Sequence, residues 1–126
     1  MSLRDDVVLR VIHQLVEALL RAAGLRKKRD FPGAEQAIGD GLTGLGLSLD
    51  VITRLDATTL ASLLGDKRAL VGAALLELAN LRAAEGKLDD ATRFHDVGAR
   101  LLEGAEVPDE LKPLLSSNPE DARMPW

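Results

Sequence analysis

Two histidines and one glycine string are the residues of this chain best placed to do chemistry. The string GDGLTGLG, Gly39 to Gly46, contains a G-x-G-x-x-G. In dinucleotide enzymes that pattern brings backbone N–H groups against a pyrophosphate. Such a turn needs a hydrophobic strand before it and a new helix opening from it. Here PGAEQAI precedes and LSLDVI follows, so the glycines fall in the second half of a helix. Asp66 stands where a ribose partner would, but an acid at that distance is common by chance. His13 precedes Glu17 by four residues, the spacing of a solvated ion pair. His95, beside Asp96, is read as a hydrogen-bonded histidine on a packed helix face. No H-x-x-x-H, H-E-x-x-H or calcium-loop pattern occurs, so neither a metal nor another cofactor is expected. Ser48, Ser62, Ser116 and Ser117 lack a G-x-S-x-G setting. Asp89 and Asp90 open a helix, where they complement its dipole, and Glu103, Glu106, Asp109 and Glu110 form a charged surface run. No catalytic residue is assigned, and the chain is not read as an enzyme.

Composition narrows the partners. The 126 residues are 46% hydrophobic and 29% charged, which suits one folded domain. There is no cysteine, so disulfides, thiolate metal sites and cysteine nucleophiles are excluded. Phe31, Phe94 and Trp126 are the only aromatics, so the core is aliphatic and offers few platforms for stacking bases. The formal charge of −4 argues against nucleic acid and anionic membrane. The basic run Arg26 to Arg29 is read as cations at a helix C-terminus, not as a nucleic-acid contact. No signal peptide or spanning helix is visible, and the cytoplasm is the default location.

The elements that position these residues are helices. Asp5 or Asp6 starts one that Gly24 ends, with apolar residues on so wide a face that it must pack on two sides. Asp30 caps a second, with Pro32 in its first turn. Ser48 and Asp56 cap two short segments between residues 48 and 65. A long helix spans about 67–85 and another about 89–104. No run alternates in the manner of a strand. The boundaries are thus one helical domain over 1–105 and a tail over 106–126, with a short helix at Asp109 to Leu115 or a strap over the core.

The chain also repeats itself. DFPGAEQAIGDGL aligns with KLDDATRFHDVGA at a constant offset of 57 residues, matching Phe31 to Leu88, Ala34 to Ala91 and Gly41 to Gly98. Small residues seven apart face the same way on a helix and let a neighbour approach closely. With Leu75, Leu78 and Ala79 on the preceding helix and Gly86 at the turn, the pattern resembles the tetratricopeptide repeat, a helical hairpin of about 34 residues. The layout is also similar to a group of short bacterial proteins with such hairpins, for which no activity is assigned. The resemblance implies an all-α fold of two antiparallel hairpins, at about 6–45 and 67–104, stacked in a right-handed α–α superhelix. It departs where an aromatic is expected near Leu81 and Arg82.

The resemblance implies a protein-interaction module with a protein partner. The wide apolar face of the first helix adds a homodimer, with Val7, Val11, Leu15 or their neighbours in the interface. The alternative is a small-ligand protein or enzyme using a groove between the hairpins, with Arg82, Arg93 and His95 as polar contacts.

Overall fold

The structure, a computed structural model, describes residues 3–115, with side chains from Leu9 onward. The described residues are all-helical: α1 (Leu3–Lys27), α2 (Phe31–Gly44), α3 (Leu49–Ile52), α4 (Ala57–Leu64), α5 (Arg68–Ala84) and α6 (Leu88–Leu102). A single 3₁₀ turn, Gly65–Lys67, leads into α5. The side chain of Val7, expected above in an interface, and the whole of residues 116–126 lie outside the described residues.

α1 runs through Gly24 instead of stopping there. Leu25 and Arg26 gain more by staying helical, since Leu25 packs on the core and the Arg26 Nε donates to Glu77 of α5 at 2.8 Å. The helix ends at Arg29, whose φ is 64°, with Asp30 N–H bonding back to Leu25 O and Arg29 N–H to Arg26 O. These are the two hydrogen bonds of a Schellman motif, with arginine where glycine is usual. α1 also begins before Asp5 and Asp6, which therefore do not stand at its N-cap.

The caps of the following helices are local and polar. The Asp30 carboxylate accepts from Gly33 N–H, Ser48 Oγ from Val51 N–H, and Asp56 from Thr59 N–H. α3 is shorter than the capped segment expected from Ser48, because Thr53 Oγ1 bonds back to Asp50 O and the chain turns toward Asp56.

α1 pairs with α2 and α5 with α6, and α5 also packs against α1, α2 and α4. α5 is accordingly apolar on nearly every side, with ten buried residues from Ala69 to Leu81. α6 has one buried face, Ala91, Phe94, Gly98 and Leu101, and an outer surface that is mostly polar, with Leu88 exposed at its start. One aliphatic core runs through both hairpins and takes in Ile52, Leu60 and Leu64 from α3 and α4. It extends past residue 105: Leu111 is fully buried in it.

Candidate functional site

The two small-residue positions are places of close approach. A Cβ built on Gly41 would stand 3.0 Å from the side chains of Leu15 and Ala18 on α1. One on Gly98 would stand 2.9 Å from the carbonyl oxygen of Gly72 and 3.3 Å from Leu75 on α5. Leu15 and Gly72, and Ala18 and Leu75, are separated by the same 57 residues as the two glycines. The hairpins therefore repeat a contact, not only a spacing. Gly72 was not read from the sequence; its signal is a glycine inside an otherwise apolar helix. Ala34, Leu75, Leu78, Ala79 and Ala91 are all buried at these hairpin contacts or beside them.

Two ion pairs join one hairpin to the other. Arg26 of α1 meets Glu77 of α5 with side chains 9% and 12% exposed. Arg82 of α5 lies between Glu35 of α2 and Glu85. Burial alone would lower the Arg82 pKa, but the Glu85 and Glu35 carboxylates outweigh it and hold the guanidinium above its ordinary value. Arg82 is thus committed to two carboxylates and is not presented as a groove contact.

Arg93 and His95 do not converge with it. Arg93 stacks 4.6 Å from the centroid of Phe94 and donates to Thr53 O at 3.3 Å. It rims a depression of about 200 Å³ floored by Ile52, Leu75 and Phe94. His95 is exposed, contrary to the buried core histidine expected, and lies in a shallow surface with Leu76 and Glu103. Phe94 takes the inward position instead, because one residue is a 100° turn of the helix and the larger apolar ring wins the α5 side. No group of three or more His, Cys, Asp or Glu is placed to hold a metal ion among the described residues. Gly39 to Gly46 lie on the end of α2 and its turn, with no strand before them.

The first helix supplies the most distinctive surface. Leu15 is a core residue, 1% exposed, and so is not an interface residue, because α1 turns that face onto α2. Val11 is half-buried beside Gly41 and Gly44. What remains outside is a stripe one helix face wide: Leu9 at 49% exposure, His13, half-buried Val16, and Leu20 at 55%. At His13 this stripe meets the chain that follows α6. The His13 Nδ1 stands 3.3 Å from Glu110 and its Nε2 3.1 Å from Glu17. Next to Glu110, Leu111 is driven into the core, while Val107, Leu114 and Leu115 pack partly on it. Residues 103–115 thus run as a strap from the end of α6 to the middle of α1, and the short helix expected at Asp109 to Leu115 is present over residues 112–115 only. A cleft of about 740 Å³ lies under its first part, between Ile12, Ala61, Arg68 and Val107.

Compared with known proteins, the chain matches no family model, no curated protein and no solved structure. Its function must be argued from this surface. No helix among the described residues is long and apolar enough to cross a membrane.

Proposed function

We propose that this chain is a non-catalytic protein-interaction module of two tetratricopeptide-like hairpins that works in the cytoplasm and self-associates as a homodimer through α1. The observation that carries it is the Leu9–Val16–Leu20 stripe. α1 already packs on α2 and α5, and still keeps two leucines about half exposed on one face. Burying each is worth about 1 kcal/mol, half the value of a fully exposed leucine. The hairpin likeness is supported by the repeated contact at Gly41 and Gly98, and by α5 packing on both helices of the first hairpin. Repeats of this type need about three units to bury their faces. Two hairpins leave a face to cover, and α1 is the helix that keeps two large apolar side chains outside on one face, whereas Val51, Leu63 and Leu88 are exposed one to a helix on α3, α4 and α6.

The chemistry available favours binding over turnover. The charged groups nearest the core are spent on each other, Arg26 with Glu77 and Arg82 with Glu35 and Glu85. Leu20→Glu, on the exposed face, leaves the fold intact and weakens the dimer by at least tenfold in sedimentation equilibrium. A Leu20→Glu, Leu9→Glu double variant that dimerises as the parent does removes α1 as the interface.

A further inference from the structure

The depression of about 200 Å³ that Arg93 rims lies between the α3–α4 turn and α6. Its floor is closed and apolar, since Ile52, Leu75 and Phe94 are each no more than 5% exposed. Half-buried Leu55 and Val97 also line it. Drug-sized ligands occupy about 300–1,000 Å³, so this volume suits a single side chain or a fragment of that size. Two arginines stand over the apolar floor, Arg93 and Arg54. Arg93 is held in place by stacking 4.6 Å from the Phe94 centroid and by donating to Thr53 O at 3.3 Å. Among the described residues that is its one hydrogen bond, because Asp90 stands 3.9 Å away. The other N–H groups of its guanidinium fork are left to donate. Arg54 pairs through one nitrogen with Asp50 at 3.0 Å and keeps its others. Asp56 also lines the depression, but its carboxylate is turned to the start of α4, where it accepts from Thr59 N–H at 2.7 Å.

We propose that this depression binds a small organic carboxylate: an apolar body the size of one side chain sits on Leu75 and Phe94, and its carboxylate is met by Arg93 and Arg54. The two halves of the site ask for two halves of one ligand. A bare inorganic anion would use the arginines and leave the floor unfilled, and a neutral hydrocarbon would fill the floor and leave the arginines unused. A planar guanidinium matches a carboxylate with two parallel hydrogen bonds, which fixes the orientation of the acid. Because Arg93 is already held by Phe94 and Thr53, little side-chain freedom is lost when the ligand arrives. A free short-chain acid and the C-terminal residue of a peptide both present this chemistry. Leu9 and Leu20 are not among the lining residues, so the site stands or falls apart from the self-association proposed above.

Phe94 and Phe31 are the only phenylalanines in the chain, so their ring protons report by NMR, with Phe31 as an internal control. The full chain is titrated with N-acetyl-leucine, with its uncharged amide, and with a short peptide ending in leucine. The expected result is that N-acetyl-leucine shifts the Phe94 ring signals and not those of Phe31. Its methyls give NOEs to the Phe94 ring, and the amide binds at least fivefold more weakly. Arg93→Gln weakens the acid at least fivefold and leaves the amide unchanged, which separates lost charge from a damaged floor. Arg54→Gln, at an exposed side chain, weakens the acid by a smaller factor. A peptide that binds at least tenfold more tightly than N-acetyl-leucine supports the site and assigns it to protein C-termini, and equal affinity supports it as a site for the free acid. Phe94 signals that do not move up to the solubility limit of all three probes overturn the site. Equal binding of acid and amide, or an acid that binds both arginine variants as it binds the parent, overturns the carboxylate.

Discussion

Gly98 and Gly72 put two helix backbones in contact, and this is where single atoms matter most. An added methyl at Gly98 would press on a carbonyl oxygen that cannot rotate away. Gly98→Ala is expected to destabilise by about 2 kcal/mol in urea unfolding, the cost of overpacking a close-packed site. Gly41→Ala meets a Leu15 methyl that can rotate away and an Ala18 Cβ that moves only with the α1 backbone, so it is also destabilising. The Arg26–Glu77 pair is the second sensitive point. Glu77→Gln leaves a nearly buried guanidinium short of a charge and costs about 3 kcal/mol, whereas the Arg26→Met, Glu77→Leu double variant recovers much of that. Equal losses in the single and double variants, measured by the same unfolding, contradict the pairing. Gly41 and Gly98 were legible in the sequence because their spacing of seven recurs. Gly72, Glu35 and Glu77 were not, since each finds its partner on a helix remote in the chain. His95 was misplaced by one residue: pattern alone did not decide whether it or Phe94 turned inward.

Among the elements, α2 and α4 could be read from their caps, Asp30 and Asp56, because a cap is a contact within four residues. The end of α1 could not. Gly24 is a local stop signal, but the gain that carries the helix past it comes from α5. Gly24 is exposed, helical, and has nothing within 4 Å of a built Cβ. Gly24→Ala should therefore stabilise by about 0.5–1 kcal/mol, seen as a raised Tm. The cap of α4 makes a pH prediction. The Thr59 N–H, joined by the Thr59 side chain, holds the Asp56 carboxyl below its ordinary pKa. A depressed folded pKa stabilises above the unfolded value, about pH 4, and that gain disappears as pH falls through the folded value. The Tm deficit of Asp56→Ala is thus largest near neutral pH and closes as pH falls below the ordinary carboxylate range. A deficit that persists in acid would assign it to helix propensity instead.

At the scale of the molecule, the α1–α2 and α5–α6 pairs make one core through α5, and α3, α4 and the strap contribute residues to it. The all-helical class was legible from periodicity and from the lack of alternating runs. The path of the strap was not, because its Glu110 meets His13, 97 positions earlier in the chain, and no local pattern announces that contact. Leu9 and Leu20, exposed on one face of α1 beside half-buried Val16, are the surface from which function is inferred; Val51, Leu63 and Leu88 are exposed on three other helices. The most direct test of that inference is the mass of the unmodified chain by light scattering after size exclusion, over a wide range of concentration. The account predicts about 27 kDa, twice the 13.5 kDa chain, falling toward the monomer only on strong dilution. A mass that stays at the monomer value at every concentration would contradict it.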